Sequence, residues 1–312
     1  MQVLRGIPEH AAQPSVLTIG NFDGVHLGHK ALLQMLVDEA RSQEVPATVM
    51  TFEPHPREYF SPADAPARLA SLREKLLLLA AHGVDRVHVC HFDARFAAVS
   101  AERFIEDILI RGLAVRHLII GDDFRFGARR QGDFALLQAA GERHGFGVEA
   151  MHTVDIDGER VSSSAVRDAL ASGDMARAAR LLGRPYSIAG RVIMGNRLGR
   201  TIGFRTANIQ MKHRKPPLSG VFAVTVEGLA ARRIPGVANV GIRPTIGGGT
   251  RPLLEVHLFD WNADCYGAHI RVHFLHKQRD EQKYASLEAL TAQIARDADA
   301  ARAWLKDNPI EE

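Results

Sequence analysis

An apolar run from Ser15 to Ile19 leads directly into GNFDGVHLGH (20–29), and a helical pattern over 29–43 follows. A strand, a tight turn and a helix in that order restrict this stretch to a parallel α/β unit, with the turn at the carboxyl end of a buried strand. Gly20, Asp23 and Gly24 supply the conformational freedom and local hydrogen bonding that the turn needs. His26 and His29 are three apart at the first helical turn, so their rings share one face. Unpaired N–H groups and the positive dipole end make a helix N-terminus a phosphate site. Imidazoles placed there can donate to phosphate oxygens as charge develops during transfer.

The rest of the first half continues the alternation. Apolar runs at 16–20, 46–52, 86–92, 116–121 and 147–154 read as strands, and helical patterns at 29–43, 71–82, 100–111 and 133–144 lie between them. This predicts a parallel sheet with helices on both faces and ligand-binding loops along one edge. TFEPHP (51–56) and GDDFRFG (121–127) fall on that same edge. A further helical stretch runs from Ser162 to about Leu182, opened by three serines that can cap it, before Gly183-Arg184-Pro185 breaks the pattern. Beyond residue 186 the chain changes character. Short runs at 187–194, 220–227, 233–240, 253–259 and 269–275 predict an antiparallel β-barrel, and apolar spacing from about Ser286 to Lys306 predicts a terminal helix. Two domains result, 1–183 and 184–312.

With 39 Lys and Arg against 36 Asp and Glu, the net charge is +3. This suits small polyanions and gives no footprint for nucleic acid; the densest basic cluster, 212–215, is short and runs into Pro216-Pro217. Cys90 and Cys265 lack metal-ligand spacing, and their scarcity fits a reducing cytoplasm. No leader pattern and no membrane-length apolar stretch is visible.

The turn at 20–29 resembles the HxGH signature of nucleotidyltransferases. Taken with TFEPHP, GDDFRFG and VSSSAVR (161–167), the first half resembles the adenylyltransferase module of the bacterial bifunctional riboflavin kinase/FMN adenylyltransferase family. The resemblance implies a Rossmann-like fold and adenylyl transfer from ATP to FMN, giving FAD and pyrophosphate. It places His26 and His29 on the triphosphate, with Gly20, Phe22, Asp23 and Gly24 in the ATP-binding turn. Ser162, Ser163, Ser164 and Arg167 match a second phosphate motif. Asp123 is a candidate acceptor from nucleotide or flavin, and Phe124 and Phe126 either flank a flat ring or belong to the core.

The second half resembles the riboflavin kinase module of the same family, through residues 190–200, 206–209, 238–245 and 254–260. No Walker lysine motif is present. Here the resemblance puts Gly195 and Gly199 in a nucleotide loop and Thr206 and Asn208 on ATP phosphate and Mg2+. Glu255 becomes the base for the ribityl hydroxyl of riboflavin. If Leu254, Val256 and Leu258 face inward, Glu255 and His257 share the opposite face. One departure stands out: the family reads Gly-Phe-Pro-Thr-Ala-Asn, and this chain carries Arg205 where the proline stands. Proline would stiffen the turn, so Arg205 leaves open an adenylyltransferase with an impaired or inactive kinase. A non-catalytic flavin-binding regulatory protein is the other alternative. The implied partners are small molecules (riboflavin, FMN and ATP) without nucleic acid or membrane; the sequence leaves the oligomeric state open.

Overall fold

The computed structural model describes residues 1–194, 204–211, 215–244 and 250–309. They divide into two compact units: Met1–Pro66 with Leu72–Ser162, and Ala67–Ser71 with Ser163–Glu312.

The first unit holds a six-stranded sheet. In chain order the strands are β1 (Gln2–Arg5), β2 (Ser15–Ile19), β3 (Ala47–Glu53), β4 (Arg86–His91), β5 (Val115–Gly121) and β6 (Gly147–Met151). Across the sheet they run β1-β4-β3-β2-β5-β6, every pair parallel, and after β6 a separate antiparallel pair follows, β7 (Asp155–Ile156) and β8 (Glu159–Arg160). Five strands were expected from the sequence. The sixth, β1, is a four-residue edge strand, mostly exposed and without an apolar run to announce it. The helices are α1 (Leu27–Ser42), α2 (Pro56–Phe60), α3 (Leu72–Ala81), α4 (Ala94–Ala97), α5 (Ala101–Arg103) and α6 (Phe134–His144). From α5 the chain continues into a wider π-helical coil over Phe104–Gly112.

All five residues of β2 are buried, as a strand covered on both faces requires. Val16 packs with Leu33 and Leu36 of α1 and Leu79 of α3, while its neighbour Leu17 packs with Leu109 and with Leu137 of α6. Two cores thus sandwich the sheet. From β2 the chain builds β3 and β4 on one side, then crosses to build β5 and β6 on the other. The switch point lies between β2 and β5, and the turn at 20–29 opens onto it.

The second unit starts with α7 (Ser163–Ser172) and α8 (Met175–Leu182). One helical stretch was expected here. Gly173, at φ 81°, and Asp174, whose side chain accepts from Arg177 N–H, end one helix and cap the next. A closed antiparallel barrel follows: β9 (Tyr186–Ile193), β10 (Ala207–Gln210), β11 (Gly220–Glu227), β12 (Ile234–Pro244), β13 (Thr250–Leu258) and β14 (His269–Arg279), in the order β10-β13-β12-β11-β14-β9. The strand the sequence did not declare is β10, only four residues long. The terminal helix α9 (Leu287–Asp307), capped by Ser286, lays Ala298 and Ala301 against Val221, Ala223 and Val237. Arg279 fastens it further, with Nε and Nη2 donating to the two oxygens of buried Asp297 at 2.9 and 2.6 Å.

Among the described residues, no helix is long and apolar enough to cross a membrane.

Candidate active sites

In the first unit, α1 begins at Leu27, so His26 is its N-cap and His29 lies within the first turn. His26 Nδ1 accepts the backbone N–H of His29 at 3.3 Å. A neutral His26 therefore carries its ring proton on Nε2. The two rings stack with centroids 3.7 Å apart and planes 20° apart, and the Phe22 ring lies 5.0 Å from His29 on a tilted plane. Among the described residues, His29 Nδ1 is buried without a hydrogen-bond partner. Burial first, then the nearby His26 and Lys75, hold the His29 imidazolium well below its ordinary range, so the ring is neutral at pH 7.

The turn is built around this pair. Phe22, Gly24 and Val25 all adopt positive φ, at 48°, 83° and 43°. Such a conformation is costly for a β-branched valine and persists because the buried surroundings impose it. A side chain at Gly20 would meet the Phe22 ring at 3.0 Å. Asp23 is buried within the turn itself. Gly28 lies under the imidazole: an added Cβ would come within 3.2 Å of His26 Cε1 and Nδ1. Gly28→Ala is expected to displace that ring and to lower by roughly tenfold the adenylyl transfer that the resemblance implies; steady-state assay with supplied FMN checks it.

An open cleft of about 250 Å³ runs along the switch point, lined by Gly20, Phe22, His26 and His29 on one side. Asp123, Phe124, His152 and Arg160 line the other side. Asp123, expected as an acceptor, is exposed and paired with Arg160 at 3.2 Å. Phe126 belongs to the buried core, with Phe124 stacked on it at 5.8 Å. His55 caps α2 by accepting the N–H of Arg57 at 3.1 Å. Ser162 closes the first unit. Ser163, Ser164 and Arg167 belong to the second and are described with it. There they form the start of α7, where Arg167 Nε donates to the Ala67 carbonyl at 2.7 Å.

In the barrel, the alternation expected for β13 is present. Leu254, Val256 and Leu258 are buried in the interior, while Glu255 and His257 are half-buried on the other face. Register then supplies what spacing did not. Glu255 is the direct partner of Asn208 on β10 and of Asn239 on β12, so one carboxylate sits between two carboxamides on a single face. Asn239 Nδ2 donates in turn to Glu281 Oε1 at 3.3 Å. Thr206 is half-buried, two residues before Asn208. Gly195 and Gly199 lie outside the described residues. Arg279 holds α9 through Asp297 as described above. Arg205 is exposed; its Nη1 donates to the Asn262 carbonyl at 3.4 Å, and its own carbonyl accepts from His257 Nδ1 at 2.8 Å.

Asn239, Arg160 and buried Lys75 were not singled out by the sequence. The available signals were a polar residue in an apolar strand and, for Lys75, its position four residues before fully buried Leu79 on α3.

Two family models match the chain: FAD synthetase over residues 8–165 and riboflavin kinase over residues 182–305. The bifunctional riboflavin kinase/FMN adenylyltransferase of Escherichia coli (strain K12) is 53% identical over 305 residues, covering 97% of each chain. That of Pseudomonas fluorescens is 50% identical over 307 residues, again covering 97% of each. Among solved structures, a macrolide-efflux protein from Streptococcus pneumoniae superposes with a TM-score of 0.82 at 29% identity, covering 97% of this chain and 100% of that one.

Proposed function

The chain belongs to the bifunctional riboflavin kinase/FMN adenylyltransferase family, and we propose how its own residues divide the two reactions. The enzyme converts riboflavin and ATP to FMN and ADP, and FMN and ATP to FAD and pyrophosphate. The functional boundary is drawn at 183/184, which leaves the VSSSAVR motif with the adenylyl-transfer module.

In adenylyl transfer, an FMN phosphate oxygen attacks the α-phosphorus of ATP as the bond to the β-phosphate oxygen breaks. No covalent intermediate with the protein is needed; the work is alignment and charge neutralisation. His26, through Nε2–H, and His29 bind the triphosphate at the N-terminus of α1. The observation carrying this reading is the buried, unpartnered Nδ1 of His29, stacked on the capping His26 at the sheet's switch point. Gly20, Phe22, Asp23 and Gly24 shape the turn that holds the pair. Ser162, Ser163, Ser164 and Arg167 supply further donors to phosphate, with arginine's fork suited to it.

In the kinase step, Glu255 accepts the proton of the ribityl hydroxyl as that oxygen attacks the γ-phosphorus and ADP leaves. Asn208 and Asn239 flank the carboxylate and orient it. Thr206 and Asn208 offer a hydroxyl and an amide oxygen beside Glu255, a donor set that fits Mg2+. Bound there, Mg2+ would neutralise charge on the nucleotide phosphates. Gly195 and Gly199 complete the nucleotide loop in this reading.

The impaired-kinase alternative rested on Arg205. Its backbone carbonyl holds the ring of His257 on β13, and a proline would keep that carbonyl. Arg205→Pro is therefore expected to change the rate of FMN formation and the ATP KM by less than about threefold. A large gain would revive the picture of a loosened turn. Neither this alternative nor a non-catalytic regulator has support in the relatives.

We assign the enzyme to a reducing cytoplasm: both cysteines are free, and burial pushes the Cys90 thiol up to about 12, which leaves it unreactive. Its partners in this reading are small molecules only, without nucleic acid or membrane. The test is direct. Purified protein is given riboflavin, ATP and Mg2+, and the flavins are separated with time. FMN should precede FAD, and supplied FMN should yield FAD with equimolar pyrophosphate. Absence of FAD from supplied FMN would overturn the adenylyl-transfer assignment.

A further inference from the structure

Helix α3 carries two charged residues into the interior: Glu74 is 3% exposed and Lys75 is 6% exposed. Burying an ammonium is expensive unless hydrogen bonds and charge hold it in place. Lys75 Nζ donates to Thr51 Oγ1 at 3.3 Å. Thr51 lies near the carboxyl end of β3, and its hydroxyl reaches the Asn21 carbonyl in the signature turn at 3.4 Å. A contact path thus runs from α3 through β3 to the loop that presents the histidines.

We propose that Lys75 is a positioning residue for adenylyl transfer: through Thr51 it braces the signature turn, and it holds a buried positive charge beside the imidazole pair. The proposal rests on the reading of His26 and His29 given above. The ammonium there draws the triphosphate inward and favours a neutral His29, which donates a hydrogen bond to it. The charged groups that act on the His29 ring include His26 on its own helix cap and Lys75 from α3, with buried Asp23 in the same turn and buried Glu74 next to Lys75 on α3. Around the cleft, Asp122, Asp123, His152 and Arg160 face it from the segments after β5 and β6.

The sign of the pH effect follows. Lys75 pushes the His29 proton affinity down. Removing that charge lets the affinity rise, so the acid limb of the adenylyl-transfer rate moves to higher pH. The experiment uses the full chain carrying Lys75→Met, assayed for FAD formation from supplied FMN across about pH 5 to 9. The expected result is a fall in kcat of about tenfold or more, with the acid limb moved to higher pH. Riboflavin phosphorylation by the same preparation should be unchanged. Thr51→Val keeps the volume and the buried charge but removes the acceptor; a loss of about threefold is expected, with the limb unmoved.

Wild-type kcat and acid limb in Lys75→Met, beside a His29→Ala variant that has lost FAD formation, overturns the proposal and spares the site. A His29→Ala variant that still forms FAD overturns the site itself. A fall in kcat with an unmoved limb and a lowered thermal midpoint marks a packing role, and also overturns the proposal. Should Lys75→Met fail to fold, Thr51→Val decides: unchanged kcat and KM sink the idea.

Discussion

His29→Ala is expected to lower FAD formation from supplied FMN by about 10²–10³-fold, the usual loss when a preorganised donor to a developing anion is removed. The fold should tolerate the change. The ring's Nδ1 has no hydrogen-bond partner among the described residues, so deleting it orphans no buried group there. The backbone N–H of His29 still caps onto His26 Nδ1, because that bond uses the main chain. The loss should fall mainly on kcat, since the added charge is gripped most tightly in the transition state. Riboflavin phosphorylation should continue at its original rate, because Glu255, Asn208 and Thr206 all lie in the other unit. The decisive measurement is the pair of rates on one preparation. Equal loss of both steps would contradict the assignment of the imidazole pair to adenylyl transfer.

Glu255→Gln should produce the mirror image. The substitution preserves shape and leaves an amide between Asn208 and Asn239, where it can exchange hydrogen bonds. What it removes is the carboxylate that takes the proton on that face of β13. FMN formation should fall by about 10²–10⁴-fold, the range of a lost general base. The ATP KM should change little, because the carboxylate is assigned to the acceptor hydroxyl rather than to the nucleotide. Adenylylation of supplied FMN should be intact. A variant that keeps phosphorylating riboflavin at near its original rate would remove Glu255 from the reaction. The two substitutions together form a double dissociation that a single shared ATP site could not give.

Much of this was legible in the chain as written. The alternation of apolar runs with helical spacing specified a parallel sheet, because strands joined by helices must run the same way to bury both faces. GNFDGVHLGH specified a strand, a tight turn and a helix N-terminus bearing two histidines, since glycine freedom and dipole direction are local properties. The period-two burial of Leu254, Val256 and Leu258 specified which way Glu255 faces. Local chemistry is encoded within a few residues, so sequence alone determined it.

Contacts between distant segments were not legible, for the converse reason. That His26 turns back to cap its own helix depends on where α1 starts, a matter of one residue. That Glu255 stands between Asn208 and Asn239 depends on the register of three strands, and a slip of one residue would send those side chains to opposite faces. That Lys75 is buried beside the signature turn depends on how α3 docks on the sheet; its spacing from Leu79 puts it on the same helix face, but a lysine on such a face ordinarily reaches out to water. The four-residue strands β1 and β10 form because partners were already in place, not from any propensity of their own. The sequence by itself determined the two chemistries and the elements that carry them, except β10 with its Asn208. Only the tertiary structure decided which residues stand next to them, because long-range pairing is paid for by the packing of the whole unit.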